Sequence, residues 1–300
     1  MQLAKDAMRT LFQYLRPRDL AEAVSMKAAY GEKARFWAGG TDMTLHWKQE
    51  RFRPEYCIDL SYLPGLDGIE VDRHRIRIGA KATLRTLEQS GGHPLLDALA
   101  RVSKLMCTVQ TRALATVGGN ICTASPAADL SPVLVAMDAF AVIVGEECER
   151  RMPLRDFFRG VNKVALETGE LLCALEIPLA EGQRAAASYR RIDRTVVDIA
   201  LVNAGAFVAV DASGKVVRAR IGLGAVAHVV LTAPSAAEML VGRPLAAIGD
   251  ALLAHVGEAA AAVAKPITDV RASAEYRRDM VAVLTRRALA DAIAELRSQA

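Results

Sequence analysis

The side chains able to do chemistry in this sequence are few, and their spacing excludes more than it offers. The five cysteines, Cys57, Cys107, Cys122, Cys148 and Cys173, are odd in number, widely spaced and without a C-x-x-C pair. That argues against a disulfide framework and against a self-contained zinc or iron–sulfur site. The five histidines, His46, His74, His93, His228 and His255, never fall at ligand spacing with one another. What remains is the chemistry of bare backbone. The stretch from Ala115 to Pro132 reads ATVGGNICTASPAADLSP and is nearly free of long side chains. Gly118 and Gly119 leave no Cβ in the way of a close neighbour. Thr116, Asn120, Thr123 and Ser125 add hydroxyl and amide hydrogen bonds, and Asp129 is its one carboxylate. A second small-residue loop lies upstream, Ala38-Gly39-Gly40-Thr41-Asp42. Either loop alone also reads as a buried tight turn between core elements. Two of them in one chain can grip a long ligand from two sides.

The elements around the loops decide what they present. Arg35 to Ala38 reads as a short buried strand, and Met43 to Gln49 as a helix. Strand, glycine turn and helix start leave free N–H groups at the positive end of a helix dipole, a setting suited to phosphate. No G-K-[ST] follows, so this is not a Walker loop, nor is it G-x-G-x-x-G. Upstream, Asp19 with Glu22 caps a helix that Gly31 ends. Downstream come a strand over Tyr56–Leu60, a hairpin of 69–71 and 75–79, and a short helix capped by Thr83. Then follows a helix from Pro94 to Cys107 with Leu95, Leu96, Leu99 and Val102 on one stripe. The glycine stretch reads as a loop, followed by a helix over 133–137, a strand over 139–144, a turn after Leu154, and a strand over 171–177. Composition shifts at Ala180-Glu181-Gly182, taken as a domain boundary. Beyond it, 188–191, 200–210 and 215–223 read as an antiparallel meander, with helices over 233–240 and 274–296.

Composition bounds the function class. Net charge is +4 over 300 residues, with basic residues dispersed, so nucleic acid is not an expected partner. No apolar run reaches the ~18 residues of a membrane span, and residues 1–18 lack the pattern of a secretory leader. Free thiols in modest number fit a reducing cytoplasm.

Taken in order, AGGTD at 38–42, TVGGN at 116–120, ASPAADL at 124–130, GELL at 169–172, DIA at 198–200 and DVRASAEYRR at 269–278 resemble the FAD-binding medium subunit of the molybdenum hydroxylases. That family includes xanthine dehydrogenase, aldehyde oxidoreductases, aerobic carbon monoxide dehydrogenase and 4-hydroxybenzoyl-CoA reductase. The resemblance covers nearly the whole chain. It implies an α+β fold: a two-lobed FAD-binding domain of the vanillyl-alcohol-oxidase (PCMH) type over 1–180, with lobes near 1–60 and 61–180. A small α/β domain with an antiparallel sheet and helices would follow over 181–300. It also implies roles. Phe36, Trp37, Ala38, Gly39, Gly40, Thr41, Asp42 and Met43 would wrap the FAD diphosphate and ribityl chain, with Thr116, Gly119 and Asn120 opposite. Asp129 would bond a ribose hydroxyl or a nearby polar group, and Met106 would cover the adenine. Leu172, Arg190 and Ile199 would lie near the isoalloxazine, with Arg190 where relatives carry lysine. Cys122, inside the glycine stretch, reads either as a cofactor neighbour or as a small buried filler.

The implied function is electron transfer within an oxidoreductase. Electrons from a substrate converted at molybdenum in a large partner would pass through [2Fe–2S] clusters in a small partner to this FAD, then to NAD or another acceptor. A doubled heterotrimer is the implied assembly. The cysteine-rich insertion of the 4-hydroxybenzoyl-CoA reductase type is absent, because Ala124-Ser125-Pro126 runs straight on to Asp129. Two other readings stay open: a stand-alone FAD oxidoreductase, against which stands the lack of an acid–base pair near the loops, and a cofactor-free scaffold subunit.

Overall fold

The computed structural model describes residues 12–195 and 197–299; residues 1–11, part of the stretch searched for a leader, lie outside them. Three sheets organise the chain. The first is parallel, with order β1 (Gln13–Leu15), β3 (Tyr56–Asp59), β2 (Ala34–Trp37). Helix α1 (Leu20–Tyr30) covers it. Asp19 caps α1 by accepting from the Glu22 N–H at 2.8 Å, and Gly31 ends it at φ 53°, as the capping signature predicts. Helix α2 (Thr41–Lys48) follows β2 through the first glycine loop.

The second sheet is antiparallel, with order β4 (Ile69–Val71), β5 (Arg75–Gly79), β10 (Leu171–Pro178), β6 (Phe140–Val144), β7 (Glu149–Pro153). Between β5 and β6 the chain leaves the sheet for five helices: α3 (Leu84–Glu88), α4 (Pro94–Leu105), α5 (Val109–Arg112), α6 (Val117–Thr123) and α7 (Leu130–Ala136). The stripe expected on α4 is buried at Leu95, Leu96, Leu99 and Val102. Strand β7 was expected only as a lead-in to a turn. Its ERRMP sequence lacks an apolar alternation because an edge strand can leave its charged side chains in water. After α8 (Leu154–Phe157), a short hairpin of β8 (Phe158–Gly160) and β9 (Lys163–Val164) precedes β10.

The third sheet, antiparallel, has order β11 (Arg184–Ile192), β12 (Val202–Val210), β13 (Val216–Gly224), β14 (Leu231–Thr232). Helices α9 (Pro234–Glu238), α10 (Asp250–Ala261) and α11 (Ala274–Ser298) pack on one face. The other face, through Ala187, Tyr189, Phe207 and Ala209, joins the core built on α4 and α7. Every residue of β12 is therefore buried. Helix α7 comes this close because the sheet offers glycine beneath it. A Cβ on Gly205 would fall 2.6 Å from the Val133 backbone, and one on Gly222 would fall 2.1 Å from the Pro132 carbonyl oxygen. The result is the expected α+β arrangement, two lobes followed by a sheet with helices. Among the described residues no helix is long and apolar enough to cross a membrane.

Candidate functional site

The first glycine loop leaves β2 and enters α2. Gly40 takes φ 69°, the left-handed conformation that glycine adopts without penalty, and the Trp37 indole lies so close that a Cβ would fall 2.6 Å from it. The second loop was expected to be irregular throughout, yet Val117–Thr123 is helical. Two glycines and β-branched residues make this a poor helix by propensity. It forms because Thr116 caps it, accepting from the Gly119 N–H at 3.1 Å, and because its start is stitched to a neighbouring segment. The Gly118 N–H donates to the Ala80 carbonyl at 2.8 Å, and the Val117 N–H to that of Ala82 at 2.9 Å.

The two loops, far apart in sequence, meet. A Cβ built on Gly39 would sit 1.8 Å from the Leu114 carbonyl oxygen, so the backbones are in direct contact. The Thr123 hydroxyl donates to the Asp42 carboxylate at 2.6 Å, tying the start of α2 to the end of α6. Together they border a cleft of about 1100 Å³. That exceeds the ~300–1,000 Å³ usual for small-molecule sites and suits a long ligand. Phe36, Ala38, Gly39, Gly40, Thr41, Asp42 and Met43 line one side. Met106, Thr116, Gly119, Asn120 and Cys122 line the other, and Leu172 of β10 reaches it from the sheet.

The Asn120 side-chain oxygen is buried and has no hydrogen-bond partner. A buried acceptor left unmade is costly, so this atom marks where a ligand donor belongs. Burial pushes the Cys122 thiol up to about 12, which makes it an inert neighbour of the cleft. Sequence reasoning missed several lining residues. Cys107 stands at φ 48° in the turn after α4. That turn is held by the buried Arg112, which donates to the carbonyls of Met106 at 2.8 Å and Cys107 at 3.0 Å while pairing with Glu88. Lys81 lines the cleft and anchors the Ser61 and Leu63 carbonyls. Arg159 and Lys163 come from the β8–β9 hairpin. No short motif announces any of them.

Four of the expected residues do not line the cleft. Trp37 packs beneath Gly40 instead. Asp129 lies in the seam between α7 and β11, where its carboxylate accepts from the Tyr189 hydroxyl and from Arg191 at 3.1 Å. Burial pushes the Asp129 carboxyl above its ordinary value, against the hydrogen bond from Tyr189 and the charge of Arg191. Arg190 points the other way. Successive side chains alternate across a strand, so Ser188 and Arg190 face α11 and hold Asp291, Arg190 at 2.6 and 2.9 Å. Ile199, 54 % exposed, sits in the loop before β12. Among the described residues no group of three or more His, Cys, Asp or Glu could hold a metal ion. The arrangement can hold an elongated ligand with an anionic centre through N–H groups, a hydroxyl and an amide.

Comparison with known proteins agrees with this geometry. Residues 10–180 match the FAD binding domain in molybdopterin dehydrogenase, and residues 187–292 match the CO dehydrogenase flavoprotein C-terminal domain. The carbon monoxide dehydrogenase medium chain of Afipia carboxidovorans is 34% identical over 279 residues, covering 93% of this chain and 95% of that one. The nicotinate dehydrogenase FAD-subunit of Eubacterium barkeri is 31% identical over 242 residues, 78% of this chain and 81% of that one. Among solved structures, reconstituted CO dehydrogenase from Oligotropha carboxidovorans superposes with TM-score 0.87 at 33% identity, over 95% of this chain and 98% of that one.

Proposed function

Because the chain belongs to the family of FAD-binding medium subunits of molybdenum-containing hydroxylases and dehydrogenases, we propose that its cleft holds FAD between the two glycine loops and that it works as the electron-transfer subunit of a larger oxidoreductase. The observation that carries this reading is the meeting of the loops at Gly39 and Leu114 beside the unpartnered Asn120 oxygen. The residues present fit the cofactor. Backbone N–H groups at the start of α2 neutralise a diphosphate without lysine, while those at the start of α6 are spent on Thr116, Ala80 and Ala82 and hold that loop in place. Gly119, where an added Cβ would meet only the Thr116 hydroxyl at 2.8 Å, leaves room on the cleft side. Asn120 supplies an acceptor. Met106 and Leu172 give apolar surface for rings. Arg159 and Lys163, exposed at the rim, add positive charge. Trp37 and Asp129 act from behind the lining, the first by fixing the Gly40 turn and the second by fixing the seam between α7 and β11. Arg190, which faces α11, and the exposed Ile199 lie away from the cleft lining, and we give neither a direct contact with the isoalloxazine.

When bound, FAD supplies exchange between one-electron carriers and a two-electron acceptor; we assign those roles to the [2Fe–2S] clusters of a small partner and to NAD or another oxidant. A large partner carries the molybdenum cofactor and chooses the substrate. The assembly we infer is a doubled heterotrimer in the reducing cytoplasm, in keeping with five free cysteines. We set the domain boundary at residue 180, with 1–180 carrying the FAD site.

The test is to tag this chain in its native host, isolate the assembly and measure flavin, iron and molybdenum. All three are expected in stoichiometric amounts, and an assembly free of flavin overturns the reading. Within that assembly, Asn120→Ala removes an acceptor that has no partner in the protein. It is expected to leave stability nearly unchanged and to weaken FAD retention by about 1–2 kcal/mol, read from flavin loss on dilution.

A further inference from the structure

A second pocket, of about 380 Å³, opens where the β11–β13 face meets the tip of the β4–β5 hairpin and the start of α4. Its walls are largely apolar, with Leu95, Pro178 and Leu179 on one side and Phe207 on the other. Arg218 enters it from β13. It stands opposite Ala209 in the register, on the same face as Phe207, with its guanidinium carbon 5.0 Å from that ring's centroid.

This guanidinium is not paired within the described residues. Asp138, the acid that acts on it electrostatically, is engaged by Arg220 at 3.3 Å and Arg155 at 3.8 Å. Asp72, in the pocket wall, is turned onto its own hairpin, accepting from the N–H groups of His74 at 2.7 Å and Arg75 at 2.9 Å. The Arg218 Nε is buried and has no hydrogen-bond partner. Burial lowers the pKa of Arg218 from its ordinary value, yet a guanidinium stays charged in proteins. A partly desolvated cation whose acidic neighbour, Asp138, is already shared by two other arginines is costly. Two further donors face the same space. Arg184 lines it while donating to the Leu296 carbonyl at 3.3 Å. His93 accepts the Leu95 N–H on Nδ1 at 3.2 Å, which leaves Nε2 as the donor of the neutral ring.

We propose that this pocket binds a small organic carboxylate with an apolar body, its carboxylate taken by Arg218 and its body lying against Phe207 and Leu95. A planar guanidinium fork matches a carboxylate in two parallel hydrogen bonds. The apolar walls favour a ligand with a hydrophobic part over inorganic phosphate, whose every oxygen needs a polar partner. Walls from the hairpin, from α4 and from the third sheet all meet here, so an occupant bridges the two halves of the chain, away from the FAD cleft.

The test is calorimetric titration of the full-length protein with benzoate, with benzamide as the neutral isostere and with inorganic phosphate. Benzoate is expected to bind, benzamide not to, and Arg218→Met to weaken benzoate by at least about tenfold. Arg218→Lys, which keeps the charge without the fork, is expected to fall between and serves if Arg218→Met does not fold. Benzoate that gives no heat, or binds both variants as it binds wild type, overturns the site. Phosphate or benzamide binding as tightly as benzoate overturns the ligand class.

Discussion

Gly39 shows how much one missing methyl can decide. Its φ is not in the left-handed region, so what requires glycine here is space: the added Cβ would stand 1.8 Å from a carbonyl oxygen of the other loop. Backbone cannot swing aside as a flexible side chain can, so Gly39→Ala must part the loops. A cost of about 1–3 kcal/mol is expected, together with loss of flavin, read as a lower melting temperature and a lower ratio of visible to ultraviolet absorbance. Gly119→Ala meets only the Thr116 hydroxyl at 2.8 Å. It is expected to keep the fold and lose affinity alone, so the pair separates loop contact from ligand contact.

A second residue-scale prediction concerns Asp269 and Arg277. Arg277, 2 % exposed, donates to Asp269 at 2.7 Å and to the Leu201 carbonyl at 2.5 Å, and so pins the 269 turn to the loop before β12. Burial raises the Asp269 carboxyl, but hydrogen bonds from Arg271, Ala272 and Arg277 outweigh it and hold it well below the ordinary carboxylate range. The folded state thus binds this proton less readily than the unfolded chain. The stabilisation is full above the unfolded value, near 4, and drains away as pH falls from there toward the folded value. Asp269→Asn is expected to cost about 3 kcal/mol at neutral pH by leaving a buried cation unpaired. It should also flatten the fall in stability between pH 5 and 3, which denaturant melts across that range will read.

At the scale of elements, β11 illustrates what a period of two does. Tyr189 and Arg191 face Asp129, while Arg190 and Ser188 face Asp291 on α11. The RR pair in the sequence invites a choice of one arginine for the cofactor side, and nothing in composition says which; register alone assigns them to opposite faces. Arg190→Gln is therefore expected to change the flavin absorption spectrum not at all. Half-exposed, its pair with Asp291 is worth at most about 1 kcal/mol, so melting should shift by only a few degrees. A changed spectrum would put Arg190 at the flavin directly. Element types were largely readable: the α1 caps, the 69–79 hairpin, the α4 stripe and the meander all follow from local rules. The departures share a cause. Val117–Thr123 is a helix against its own propensity because Thr116 and the 80–82 backbone hold its start, and β7 is a strand because β6 lends it a partner.

For the whole molecule, the boundary that we propose near residue 180 is crossed by a shared core. The core around α4 and α7 runs from Ile76 to Val230 and takes in Ala187, Tyr189 and Phe207 from beyond that boundary. Glycines at 205 and 222 let α7 seat directly on the third sheet. A fragment ending at 180 would expose this face to water, so the described chain is expected to melt in one calorimetric transition. Residues 1–180 alone are expected to lack a cooperative melt and to aggregate. Two separate transitions, or a stable fragment, would show the halves to be independent.

The small-residue loops by themselves pointed to close backbone approach by a long, phosphate-bearing ligand, because such approach is written in glycine, alanine and hydroxyl residues; the family and its FAD came from the resemblance carried by the order of the motifs. Helix ends and strand alternation were equally local and equally plain. What only the folded chain decided is who meets whom: that Gly39 abuts Leu114, that Thr123 reaches Asp42, that the Asn120 side-chain oxygen is left without a partner, and that Arg218 faces a pocket whose nearby acids are engaged elsewhere. Each is a contact between segments distant along the chain, set by how sheets and helices stack, and no local pattern of residue types encodes that.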